Sequence, residues 1–167
     1  MAAPKYNAYV NGKFKQITAA VVGGGGSIDM IPALNGAGQF DATMLPSAPT
    51  TTALASELIA AGSLVNIWND TGVSKVRNAD NTGAASSKSA DGFAPTQILS
   101  GAVGTVVLSD GIVGGLALTE GNDYYLGVAG AVIDNPPTAT GECSQAVGKA
   151  LTATTLAFHA GMPVELA

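Results

Sequence analysis

Residues 64–77, LVNIWNDTGVSKVR, hold the pattern that decides the fold. In LVNIW the apolar residues alternate around Asn66, as in a strand with one buried face. Asn69-Asp70-Thr71-Gly72 is a run of turn formers, and residues 73–77 read as the returning strand. The same grammar continues downstream. Residues 88–94, 104–109, 112–116, 124–128, 131–134, 145–151 and 155–158 all read as short strands, and most are separated by glycine-bearing turns. Their close spacing predicts a mainly β chain whose body is a small β-sandwich or barrel. One stretch stays open: residues 54–61, LASELIAA, suit either a short helix or extended chain, and eight residues do not decide between them.

A pattern recurs within this body. Ile59-x-x-Gly62-x-x-Val65-x-Ile67 is matched by Leu118-x-x-Gly121-x-x-Tyr124-x-Leu126 and by Phe158-x-x-Gly161-x-x-Val164-x-Leu166. Each reads as an apolar plug, a glycine at positive φ and an entering strand. The intervals are unequal, which excludes a solenoid and leaves three similar turns in one barrel.

Composition narrows the class. Of 167 residues, 47% are hydrophobic, 5% aromatic and 11% charged. An ordinary soluble domain carries about 25% charged residues, so much of this surface is expected to face a partner. The net charge of −5 is unevenly spread. Residues 1–28 hold Lys5, Lys13 and Lys15 and no acid; the remainder holds four bases against twelve acids. A basic arm that docks on an acidic surface fits this asymmetry. Nucleic acid does not, because three lysines neutralise too few phosphates. A single cysteine, Cys143, precludes an intrachain disulfide. MAAPKYNAYV lacks a signal-peptide core, and no run approaches the ~20 apolar residues of a membrane span. The expectation is a protein made in a reducing cytoplasm, with no membrane partner.

The N-terminal part differs from the body. Residues 6–17 read as a hairpin, with Asn11-Gly12 suited to a type I′ turn between YNAYV and KFKQI. An isolated hairpin is marginal in water and needs a partner surface. Residues 19–22 form a short apolar tail. Residues 23–26 are four glycines, read as a hinge; no Gly-Lys-Ser/Thr follows, so no phosphate loop is indicated. Residues 31–46, IPALNGAGQFDATMLP, are amphipathic, with Asn35-Gly36-Ala37-Gly38 as a turn, Asp41 able to cap a helical turn and Pro46 as the stop. Met44 and Leu45 suit either a core or a neighbouring subunit. The expected division is an N-terminal arm over 1–46 and a β-rich body over 47–167.

A glycine-rich linker followed by IPALNGAGQFDATMLP resembles a module of tailed-bacteriophage structural proteins. It occurs in capsid decoration (cement) proteins and in fibre proteins. The module carries an apolar pair, Asp or Asn, Gly, an apolar residue, Asp, two residues, Met, an apolar residue and Pro. This chain has Met30 and Ile31 where a charged residue usually precedes the pair. The stretches AGSLVNIWNDTGVSKVRNAD and AVGKALTATTLAFHAGMPVEL are similar to the β domain of the same phage head proteins.

The resemblance implies a virion protein on the outside of a phage head, synthesised in the bacterial cytoplasm, which stabilises the shell by bridging major capsid protein subunits. Tyr6, Tyr9, Phe14, Leu34, Phe40, Met44 and Leu45 are then the expected partner-binding anchors. Lys5, Lys13 and Lys15 would orient the arm. A homo-oligomer is expected, a trimer before a dimer. The alternative is a fibre or spike protein whose body binds a host surface glycan.

Catalysis finds little support. His159, the one histidine, reads as a strand-end residue, and a zinc site normally needs four His or Cys ligands. Cys143 reads as a small buried or edge group. Asp80, between Asn78 and Asn81, lacks the spacing of a calcium loop. Trp68 and Tyr124-Tyr125 suggest a sugar-stacking face, although Trp68 fits a core position better. The chain is therefore expected to be no enzyme, with no cofactor and no metal.

Overall fold

The computed structural model describes residues 5–10, 13–20, 31–32, 34, 49–82 and 88–167. The chain divides into two compact units, Met1–Ser47 and Ala48–Ala167. The described residues are mainly β in both units.

The first unit is a three-stranded sheet. β1 (Lys5–Val10) and β2 (Lys13–Ala20) pair antiparallel from Lys5↔Thr18 to Val10↔Lys13. That register leaves two residues between the strands, the spacing expected of Asn11-Gly12, which themselves lie outside the described residues. β2 runs on through Ala19 and Ala20, which pair in parallel with β3 (Ile31–Pro32). Ala19 and Ala20, expected as an apolar tail, are therefore ladder residues.

In the second unit, five strands close a barrel: β4 (Thr50–Ala55), β5 (Leu64–Asp70), β6 (Val73–Asn78), β7 (Gly92–Phe93) and β8 (Val103–Leu108). The order around it is β4-β6-β5-β7-β8. β4 pairs antiparallel with β8 along Thr50–Leu54 and in parallel with β6 at Leu54↔Lys75 and Ala55↔Val76. The turn between β5 and β6 is tighter than expected. Only Thr71 and Gly72 form it, at φ 49° and 91°, while Asn69 accepts the Gly72 N–H at 2.8 Å. The barrel core is Ala53, Ala55, Ile59, Val65, Val76, Ala94, Ile98 and Val106. Small side chains suit so narrow a barrel. At Gly104 a Cβ would lie 2.5 Å from the Ile98 side chain, so glycine is what lets Ile98 fill the interior.

A second sheet packs on the barrel. It contains β9 (Gly111–Gly114), β10 (Asp123–Leu126), β11 (Val132–Ile133), β13 (Ala146–Thr152) and β14 (Thr155–Phe158), in the order β11-β10-β13-β14-β9. Its inner residues Val113, Tyr124, Leu126, Val147, Ala150, Leu156 and Phe158 share one core with Leu64, Ala79, Ala90 and Phe93 from the barrel side. Phe93 and Phe158 meet edge to face, centroids 5.6 Å apart, a favoured aromatic geometry. The expected mainly β fold is thus present, as a closed barrel with a second sheet layered against it. A two-stranded ribbon of β12 (Cys143–Ser144) and β15 (Val164–Glu165) completes the unit.

Residues 54–61 are not helical: β4 ends at Ala55, bends follow at Ser56 and Glu57, and Ile59 forms an isolated bridge to Ile98. Ile59 and Ile98 exchange backbone hydrogen bonds at 2.9 Å in both directions. A fully buried Ile59 with a cross-strand partner outweighs the weak helical propensity of so short a segment.

Two of the three glycine motifs behave alike. Gly62 and Gly121 sit at φ 80° and 79°, each followed by an entering strand, β5 in the barrel and β10 in the second sheet. The third differs. Gly161 has no positive φ, and a Cβ there would meet the Ala146 carbonyl at 2.8 Å, so its glycine serves close approach. Val164, expected to enter the core, is 54% exposed. The three motifs also do not share one barrel.

The second motif carries a part-buried polar bond: the Thr119 N–H donates to the Tyr124 hydroxyl at 2.8 Å. Tyr124→Phe is expected to cost about 1 kcal/mol, since the Thr119 N–H then loses its acceptor. Denaturant unfolding should show a lower midpoint with an unchanged slope.

Candidate functional site

The expected anchors lie on and after the first hairpin. Its register sets Tyr9 opposite Phe14 and Tyr6 opposite Ile17. Tyr6 and Tyr9 are three positions apart, so strand alternation puts them on opposite faces of the ribbon. Lys5 shares the Tyr9–Phe14 face by the same count. Lys15 and Lys13, opposite Ala8 and Val10, share the Tyr6 face. Lys13 and Lys15 are exposed, and Leu34 is 52% exposed. Phe40, Met44 and Leu45 lie outside the described residues, as do Asp41 and the four glycines. The structure therefore brings Tyr9 and Phe14 to one cross-strand position and separates Tyr6 from them.

In the body, the residues weighed for chemistry are scattered. His159 follows β14 directly, and its Nδ1 lies 2.6 Å from Asp110 Oδ1, with both side chains largely in solvent. Cys143 is buried; that burial, foremost, raises its thiol pKa, the Glu165 charge adds to the rise, and a backbone hydrogen bond involving Val164 offsets part of it. A thiol shifted in that direction is a poor nucleophile at neutral pH. Partial burial of Asp80 works to raise its carboxyl pKa. Hydrogen bonds from the Thr82 side chain and backbone and from the Ala129 backbone, with the Lys88 charge, outweigh this and hold it below the ordinary value. Its Oδ1 is engaged by Thr82 at 2.8 Å (N–H) and 2.6 Å (hydroxyl). Among the described residues, no three His, Cys, Asp or Glu side chains gather as a metal site.

Trp68 is not in the core. On β5, Val65 faces the barrel interior, while Leu64, Asn66 and Trp68 alternate to the outside. Arg77 covers the Trp68 ring, its guanidinium carbon 4.6 Å from the centroid, a cation–π geometry. Arg77 Nε also donates to Asn66 Oδ1 at 2.9 Å, and Asn66 Nδ2 donates to Asp91 at 3.1 Å. Trp68 on the barrel and Tyr124-Tyr125 on the second sheet do not make a common stacking face, and Tyr124 points inward.

Tyr125 points the other way. The outer face of the second sheet carries an open groove of about 490 Å³. Ala146, Gly148 and Ala157 floor it, and Tyr125, Asp123, Lys149 and His159 stand around it. Asp123, Lys149 and Ala157 are cross-strand neighbours on β10, β13 and β14. The Lys149 ammonium pairs with Asp123 at 2.8 Å and also donates to the Gly121 carbonyl at 2.9 Å.

No protein-family model matches the chain, and no curated protein is similar to it. Among solved structures it resembles the N base of head fiber gp8.5 in bacteriophage phi29. The likeness spans 67% of this chain and 94% of that one, at 20% identity and a TM-score of 0.44. A similarity of that size leaves the fold and role of this chain to be read from its own residues.

Sequence reading missed the groove as a unit. Its polar groups come from β10 (Asp123, Tyr125), from Lys149 on β13 and from His159 after β14, and only the register unites them. Tyr125 was within reach, since alternation from a buried Tyr124 sends it outward.

Proposed function

We infer that the protein is a structural component of a tailed-phage head, which decorates the outer surface and stabilises the shell by bridging neighbouring major capsid protein subunits. The observation that carries this reading is the N-terminal unit: a compact unit of its own that holds a three-stranded sheet, with exposed Lys13, Lys15 and Leu34. A sheet of that size with a two-residue third strand is marginal by itself and gains stability against a partner surface. The resemblance of residues 31–46 to the phage linker module supports the same reading.

In this role Tyr6, Tyr9, Phe14, Leu34, Phe40, Met44 and Leu45 supply apolar contact. Each is worth roughly 1.5–3 kcal/mol when fully buried. Lys5, Lys13 and Lys15 set orientation on an acidic capsid face. Opposite placement of Tyr6 and Tyr9 suits a ribbon held between two subunits, one on each face. Association of the body into a homo-oligomer, a trimer by preference, would multiply the affinity through effective concentration. The role calls for no catalysis, cofactor, nucleic acid or membrane.

The test is co-sedimentation with expanded capsids that lack the protein, comparing the full chain with a variant starting at Ser47. The full chain is expected to saturate the shell, and the shortened one to bind at least ~100-fold more weakly. Failure of both to bind overturns the decoration reading. Equal binding by both overturns the assignment of the anchor to the arm.

A further inference from the structure

We propose that the groove on the outer face of the second sheet is a binding site for a neutral saccharide. At about 490 Å³ it has the size of a small-ligand site. Its floor strands β10, β13 and β14 are interior to the sheet. Their backbone groups are taken by neighbouring strands, so a peptide has no edge on which to add as a further strand. Recognition there falls to side chains.

Those side chains select the chemistry. Tyr125 offers an aromatic wall beside a floor of Ala146, Gly148 and Ala157, low enough for a ring to lie flat. Asp123 and Lys149, both in the lining, stand 2.8 Å apart, and the lining His159 holds Asp110, which lies outside the lining, at 2.6 Å. Each pair presents a hydrogen-bond acceptor beside a donor, which is what adjacent hydroxyls of a sugar require. Because each base is matched by a carboxylate, an anionic ligand gains little from the field of the groove. An apolar ligand would strip water from both exposed pairs with no return. A neutral polyhydroxylated ring satisfies wall, floor and pairs together. The site is independent of the arm and would serve on a decorated shell or on a fibre.

The test is titration of the isotopically labelled full-length protein with chitotriose, cellotriose and maltotriose, beside trigalacturonate as the anionic counterpart. At least one neutral trisaccharide is expected to give saturable shifts confined to β10, β13 and β14, and trigalacturonate none. Tyr125→Ala should weaken that binding at least about 10-fold through loss of the aromatic platform. Ala146→Arg should abolish it by filling the floor; Ala146 is exposed, so the fold survives the change. Thermal unfolding of both variants checks that they remain folded. The proposal is overturned if no neutral trisaccharide binds, if trigalacturonate binds equally well, if the shifts map elsewhere, or if the folded variants bind like the parent. No capsid enters the measurement, so its failure and a failure of shell binding are separate results.

Discussion

Gln145→Ala is expected to lower the stability of the body by about 3–5 kcal/mol, with unfolding followed in denaturant by circular dichroism. Gln145 is 2% exposed, and its amide behaves as a strand partner for Ala90. Oε1 accepts the Ala90 N–H at 2.7 Å, while Nε2 donates to the Ala90 and Gly161 carbonyls, both at 3.0 Å. Alanine leaves one donor and two acceptors without these partners, at about 1–3 kcal/mol for each group left wholly unsatisfied, and opens a cavity as well. Against a total stability of about 5–15 kcal/mol this is a large fraction. Gln145→Glu should be nearly as damaging. It keeps an acceptor for Ala90 N–H but aims a carboxylate oxygen at two carbonyls. A loss under about 1 kcal/mol for the alanine variant would mean that water replaces the amide.

Gly148→Ala is expected to cost about 3 kcal/mol or more, from two causes acting together. Gly148 has φ 144°, where side-chain-bearing residues are strained by about 1–3 kcal/mol. A Cβ there would also stand 2.0 Å from the Ala157 carbonyl oxygen, in the middle of the sheet. The neighbouring register explains the need. Tyr124 pairs with Gly148 but Tyr125 with Ala146, so Val147 is an extra residue that bulges β13 and twists it locally. Gly72→Ala is the informative control. Gly72 also has positive φ, at 91°, yet a Cβ there meets nothing within 4 Å. Its substitution should cost only the strain, about 1 kcal/mol. Similar losses at the two sites would show that the sheet yields around residue 148.

What could be read from the sequence was whatever repeats over several residues. The hairpin of residues 64–77, the strands at 103–108, 146–152 and 155–158, and the N-terminal ribbon all have enough length for a period of two to register. Gly92–Phe93 and Val132–Ile133 fall inside the stretches 88–94 and 131–134 that read as strands, and Val164–Glu165 follows the third glycine motif, but their two-residue extent is defined by pairing alone; Cys143–Ser144 gave no sign. The threonine run at 50–52 reads as linker beside Pro49, yet β-branched residues suit β4. Trp68 misled because size suggested burial. Its parity with Asn66 instead of Val65 already placed it outside the barrel. At the candidate anchor the residue types were legible, and so was the parting of Tyr6 from Tyr9, three positions apart on one strand; the register adds that Phe14 stands opposite Tyr9. Gln145 gave no sign in sequence, because its partners Ala90 and Gly161 are distant in the chain and bonded through backbone.

The strand order has a consequence for crowding. A chain with only 11% charged residues has little electrostatic repulsion to hold its copies apart at high local concentration. The barrel removes five strands from exposure by having no first or last member. The second sheet ends in β11, two residues long, and in β9, four residues with glycine at both ends. Short ladders like these offer a neighbour few unpaired backbone groups to extend. In the second unit, fibrillar growth from the barrel and from this sheet is thus resisted by geometry at the rims.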